Sequence, residues 1–332
     1  MAWPPEMNAP DDLPVFHEGE RQMQARVGVR DRMAALGEQV IRRFMPEQHQ
    51  IFFAQLPFVV VGSMDATGQA WASILAHPPG FISSPDAHHL LIRARPPVAD
   101  PLHETLVPGA RIALLGIEQH TRRRNRMNGI IERIDDAGLL VGVQQSFGNC
   151  PKYIQARQVE YVKREGVGSV HHATTLSETA RQMIARADTL FIATAHPGAH
   201  HGDAQSHDGN SHGVDVSHRG GKPGFVRVDY DNTLTVPDFA GNRFFNTLGN
   251  IVLNPRAGLL FIDFDTGDVL YLAADAEIVF DGPELDAFAG AERLLRLKIR
   301  HVQHVAASLP LRWGNEVQTS PFLANTGSWI PT

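Results

Sequence analysis

From His17 to Phe44 apolar residues recur at helical spacing among charged ones: Met23, Val27, Met33, Leu36, Val40, Ile41 and Phe44. This predicts a long helix that Pro46 ends or restarts. From Ile51 to about Val143 the period shortens. The runs 58–63, 71–75, 90–92, 111–117, 129–134 and 139–144 read as strands separated by turn residues such as Asp65 to Gly68 and Asp135 to Gly138. A helix is expected over 176–187. A second series then follows at 189–194, 213–217, 224–229, 234–236, 257–262 and 269–274. Short strands with turn chemistry every ten or so residues predict antiparallel barrels or sandwiches.

The two series share landmarks in the same order. Pro79-Gly80-Phe81-Ile82 matches Pro223-Gly224-Phe225-Val226, and a leucine follows each at the same interval, Leu90 and Leu234. Pro108-Gly109-Ala110 with Leu114-Leu115 parallels Pro255-Arg256-Ala257 with Leu259-Leu260. Repeated landmarks in one order imply an internal duplication. The chain then divides into an arm and helix (1–45), a first β domain (46–165), a second (175–312) and a tail (313–332). Its 332 residues, 43% of them hydrophobic, suffice for two cores.

Charge and cysteine content narrow the function. A net charge of -6 and a pI near 6.3 argue against general nucleic-acid binding. One cysteine, Cys150, excludes a disulfide within the chain and suits a reducing, cytoplasmic setting. No signal-peptide pattern opens the sequence, and no apolar run approaches the roughly 18 residues of a membrane helix.

The candidate chemistry lies between Ser217 and Ile262. Ser217-His218-Arg219-Gly220-Gly221 follows one strand, and Asp238 to Arg243 follows another. From Arg243 the spacing turns helical, with Phe244, Leu248, Ile251 and Val252 on one face and Asn242, Asn246 and Asn250 on another. Asn254-Pro255 stops this helix. A helix start with Arg243 offers backbone N–H groups and a forked cation, which suits a phosphate, and Arg219 could bring a second cation. Equally, Asn242 could simply cap the helix and both arginines be solvated.

The segment 241–261, Gly-Asn-Arg-Phe-Phe-Asn through Asn-Pro-Arg-Ala-Gly-Leu-Leu-Phe, resembles the helix-plus-strand signature of the pyridoxamine 5'-phosphate oxidase-like, FMN-binding split barrels. The resemblance implies two tandem split β-barrels, mainly β with flanking helices, arranged as an internal pseudo-dimer that leaves room for a further homodimer. It puts Arg243 on the FMN phosphate and Ser217, His218 and Arg219 along the flavin, with Gly220, Asp238, Asn242 and Asn246 completing the cofactor set. It is clearest over about 190–280 and weaker over 50–165. Members with one barrel per chain are shorter, and their substrate-phosphate residues have no counterpart here, so vitamin B6 oxidation is not implied. The implied function is an FMN-dependent oxidoreductase acting on a small molecule or electron donor. The alternative is a non-catalytic flavin or related cofactor carrier.

His218 is a candidate hydrogen-bond or proton donor to the flavin. Cys150 is a candidate thiol nucleophile if Lys152 activates it, although a lone cysteine more often packs as a small hydrophobe. Arg122 to Arg126 is expected in a turn. The run could clamp an anionic substrate or be a solvated face, the commoner fate of such a run. In the first copy the place of 241–243 falls near Asp100 to His103, and an acid there repels a phosphate, so no second FMN is expected. His196, His200, His201, His207 and His212 lie in a Gly/Ser/Asp-rich hairpin insertion, where no functional metal is expected.

Overall fold

The long helix expected over 17–44 is two helices, and Gly28 is the reason. In the computed structural model, which describes residues 14–164, 166, 168–199 and 211–329, α1 spans Glu18–Arg26 and α2 spans Arg30–Val40. Gly28 takes φ +69. Its N–H donates to the Ala25 carbonyl at 3.0 Å, and the Val29 N–H to Gln24 at 2.9 Å. Those two bonds form a Schellman ending, which closes a helix through a left-handed residue. After Pro46 comes α3 (Glu47–Ala54), which buries Phe52 and Phe53.

The strands pair antiparallel throughout. β1 (Phe58–Met64), β2 (Ala70–Ala76), β3 (Ile82–Asp86), β4 (His89–Ile92), β5 (Arg111–Glu118), β6 (Arg123–Asp135) and β7 (Gly138–Gly148) form one sheet, ordered β2-β1-β5-β6-β7-β4-β3. β8 (Val159–Tyr161), β9 (Val170–Ala173) and α4 (Glu178–Arg186) lead into the second sheet. It holds β10 (Thr189–Ala195), β11 (Val214–Gly220), β12 (Arg227–Val228), β13 (Thr233–Phe239), β14 (Arg256–Ile262), β15 (Val269–Val279) and β16 (Ala291–Val305). Its order is β11-β10-β14-β15-β16-β13-β12, with β9 added beside β16. Adding nine to each label of the first sheet gives the second, so one strand order is built twice. α5 (Asn246–Leu253) lies between β13 and β14, α6 (Pro283–Asp286) precedes β16, and β17 (Leu311–Trp313) returns to pair with β8.

β1, β2 and β5 pack against β10, β11 and β14. One apolar core therefore runs through both halves, joining Val59, Val61 and Leu115 to Phe191, Val216 and Leu260. Each such fully buried side chain contributes roughly 1.5–3 kcal/mol. Three expectations need correcting. The arginine run is not a turn: only Arg122 sits there, at φ 58, and Arg123 onward belongs to β6. The strand expected over 224–229 shrinks to Arg227–Val228. The region 283–312, given no element from sequence, holds the 15-residue β16. Among the described residues no helix is long and apolar enough to cross a membrane.

Candidate functional site

Where the two sheets meet, a cleft with about 100 Å³ of enclosed space collects side chains from both halves. β6 supplies Arg124 and Arg126. β11 supplies Ser217, His218 and Arg219, and the start of α5 supplies Asn246 and Thr247. Alternation along β6 explains the first pair, because residues two apart share a face. Arg126, 3% exposed, reaches across the junction. It pairs with Asp215 at 2.5 Å and donates to Ser217 Oγ at 2.6 Å and Asn246 Oδ1 at 2.9 Å. Arg124 donates to the Cys150 carbonyl at 2.6 Å and the His218 carbonyl at 3.4 Å. It forms no ion pair with a carboxylate among the described residues. Burial, then the neighbouring Arg126, lowers its pKa to about 10.

Several buried polar atoms at the cleft have no partner. They include Nε of Arg126, Nε of Arg219 and both ring nitrogens of His218. An unpaired buried polar group costs roughly 1–3 kcal/mol, so such a concentration marks a place made for something polar. His218, 5% exposed, has its pKa held well below 6.5 by burial and then by Arg124 and Arg219. The ring is therefore neutral at ordinary pH, offering one N–H and one lone pair. A neutral ring can still donate one hydrogen bond, the first of the two roles expected of His218 from sequence.

Ser217, His218, Arg219, Asp238, Asn242, Arg243, Asn246 and Cys150 all line this cleft. Their environments differ from the expectation in five places. Arg243 is not at the helix start: α5 begins at Asn246, and Arg243 and Phe245 both take left-handed backbone, φ 67 and 63. Two such non-glycine residues store strain of the kind found at functional sites. Arg243 also spends its fork on Glu292, with Nη1 to Oε2 at 2.7 Å and Nη2 to Oε1 at 2.5 Å. Asp238 bridges Arg219 and Arg293 and so orients cations. Gly220 does not line the cleft. It lets the Tyr153 carbonyl approach, where a methyl would meet that oxygen at 2.0 Å. Lys152, expected beside the Cys150 thiol, lies over the Phe322 ring at 5.2 Å. Asn242 does not cap α5: its Oδ1 accepts from the Phe244 N–H at 3.1 Å, closing a turn ahead of the helix, whose first residue has no side-chain cap.

No protein-family model matches the sequence, and no curated protein matches it. Several solved structures give likenesses that cover about two fifths of the chain each. A candidate pyridoxamine 5'-phosphate oxidase from Lactobacillus delbrueckii is 16% identical, with a TM-score of 0.29 over 39% of this chain and 94% of that one. An FAD-binding protein from Mesorhizobium loti is 12% identical, with a TM-score of 0.26 over 41% and 98%. HutZ, a heme storage protein from Vibrio cholerae, is 15% identical, with a TM-score of 0.26 over 40% and 95%.

The N-terminal helix completes the site, which the sequence did not signal. Gly19 and Gly249 let α1 and α5 touch backbone to backbone: a methyl on Gly19 would lie 2.2 Å from the Gly249 carbonyl oxygen. That contact brings Glu20, 4% exposed, onto the Asn246 side-chain amide. The other Glu20 oxygen accepts the His17 N–H at 2.8 Å. Burial raises the Glu20 pKa to about 8, so the carboxyl is mostly protonated and adds little negative charge beside Arg126.

Just outside lies the group among the described residues that could hold a metal: His17, Glu18 and His196. His212 stacks on His196 with ring centroids 4.0 Å apart. The Gly19 and Gly198 N–H groups donate to Nδ1 of His17 and His196 at 3.2 and 3.0 Å. In the neutral rings the proton then sits on Nε2, which in His196 faces Glu18 at 3.1 Å. A metal would have to displace that proton. His200, His201 and His207 lie outside the described residues.

Proposed function

We propose that the chain is a tandem pair of split barrels that binds FMN in this cleft and acts as an FMN-dependent oxidoreductase, on a substrate other than vitamin B6. The observation that carries the reading is the set of buried, unpartnered polar atoms on Arg126, Arg219 and His218, three residues that line one cleft. Charge supports it. Arg124, Arg126, Arg219, Arg243 and Arg293 line the cleft, against the paired carboxylates of Asp215, Asp238 and Glu292. The excess of two positive charges suits a phosphomonoester, which carries roughly -1.5 to -2 at neutral pH.

In this reading Arg124, Arg126 and Ser217, with the N–H groups that open α5, hold the phosphate. Arg243 is a secondary cation at the same place. His218 orients the ring system through its single N–H or lone pair, and Cys150 lines the cleft beside it. Bound flavin supplies hydride or electron transfer. The chain's own work is anchoring, orientation and exclusion of water.

The test is the purified protein's spectrum, expected to be yellow with flavin bands, followed by titration of the apoprotein. Arg124→Gln should weaken FMN at least about tenfold, the scale of one charge-assisted hydrogen bond, and leave riboflavin unchanged. Equal losses for both ligands would show that Arg124 supports the fold instead. Anaerobic reduction by NAD(P)H separates an enzyme from a carrier. A second reading, a haem held by His218, rests on that neutral imidazole with two unpartnered nitrogens, and a Soret band in place of flavin absorbance would establish it.

A further inference from the structure

The repeated strand order gives the cleft a counterpart elsewhere in the chain. Val60 of β1 lies opposite Ile74 and Leu115, and Phe191 of β10 lies opposite His218 and Leu260. Two residues further on, Gly62 and Ala193 abut across the junction: a methyl on Gly62 would sit 3.4 Å from the Ala193 methyl carbon. Residues astride a pseudo-twofold axis must meet in this way. The equivalence places Ser73, Ile74 and Leu75 on Ser217, His218 and Arg219. It also places Tyr271, opposite Leu260, on Arg126, opposite Leu115.

A second cleft of about 320 Å³ occupies that equivalent position, lined by Ile74, Leu75, Tyr161 and Tyr271 among others. Beneath it Asp100 is buried, its carboxyl accepting from Ser73, from Tyr271 Oη at 3.1 Å and from Leu102 N–H at 2.8 Å. A carboxyl thus fills the place that the Arg126–Ser217 contact has in the first cleft, which leaves no room there for a phosphate held in the same way. What remains is an apolar floor with two cations in the wall. Arg95 and Arg164 each donate to a backbone carbonyl, Asp135 at 3.2 Å and Thr266 at 3.0 Å. Among the described residues neither forms an ion pair with a carboxylate and no acidic one lines the cleft.

We propose that this second cleft binds an organic anion with a flat apolar body, its charged group at Arg95 and Arg164 and its body over Ile74 and Leu75. The volume falls within the roughly 300–1,000 Å³ of small-molecule sites, and the split between an apolar floor and a cationic wall matches an amphipathic ligand. The inference does not depend on flavin binding in the first cleft.

The probe is 1-anilinonaphthalene-8-sulfonate, titrated by fluorescence into the full chain. One molecule per chain is expected to bind. The Arg95→Gln/Arg164→Gln double variant should lose about tenfold in affinity, as expected when charge-assisted contacts are removed. Ile74→Trp, which fills the floor, should abolish binding. The exposed arginine pair keeps the test decisive if Ile74→Trp fails to fold. Unchanged affinity in the arginine variant overturns the proposal, as does loss of binding in Arg124→Gln, which would put the probe in the first cleft.

Discussion

Arg243 shares its charge with Glu292 through both ends of its guanidinium, whereas Arg124 meets backbone carbonyls only. A cation already neutralised contributes little to a new anion. Arg243→Ala is therefore expected to cost FMN affinity roughly 0–1 kcal/mol, against about 1.5–3 kcal/mol for Arg124→Gln. Parallel titrations of the two variants check the order, and a larger loss at Arg243 would return the phosphate to the loop before α5. Glu20 gives a pH signature. Its pKa rises from 4.5 to about 8 on folding, so between those values the folded chain keeps a proton that the unfolded chain has released. Stability must then fall as pH rises through that window and level off above it. Glu20→Gln removes the titration, so its melting temperature relative to wild type should improve from about pH 5 to about pH 8. A difference independent of pH would mean that the carboxyl ionises normally. Ser217, His218, Arg219 and Asn242 to Asn246 were legible because they sit together in two short segments. Arg124 and Arg126 were visible only as part of a charge run that could clamp an anion or be a solvated face; their place beside Ser217 was not, because what buries them is a strand some 90 residues away and no local pattern records that contact.

At the scale of elements, α1 acts on the site through its crossing with α5. A side chain at Gly19 must push the two helices apart, because the nearest atom is backbone oxygen and cannot rotate away. Overpacking of this kind typically costs about 1–3 kcal/mol. Gly19→Ala is expected to lower the melting temperature and, by shifting Glu20 from Asn246, to reduce cofactor content as well. A stability loss with full cofactor occupancy would make α1 a clamp on the fold only. The apolar spacing of 17–44 announced helix, but not the break at Gly28 or the partner helix, since tertiary contacts choose the partner. β16 was missed for a different reason. Leu295, Leu297 and Ile299 alternate with Arg296, Lys298 and Arg300 as a strand requires, yet the preceding residues are strong helix formers whose preference the sheet overrides.

For the whole molecule, the two clefts differ at the positions that the pseudo-twofold relates, so one FMN per 36.5 kDa chain is expected. Absorbance ratios or native mass spectrometry would measure it, and two per chain would mean that Asp100 does not close the second site to phosphate. The repeated strand order was foreshadowed by the paired landmarks: the Leu-Leu pairs fall on β5 and β14, and the Pro-Gly-Phe segments form the turns that precede β3 and β12. The asymmetry was visible only as far as Asp100, because Tyr271 and Arg126 become comparable only once the register is known. Joining the halves in one chain has a further effect. In a dimer of identical subunits every substitution is made twice, so neither of two symmetric clefts can change alone. Here a codon change at Ile74 or His218 alters one cleft and spares the other, so the two are free to diverge toward different ligands while the shared apolar junction holds them together.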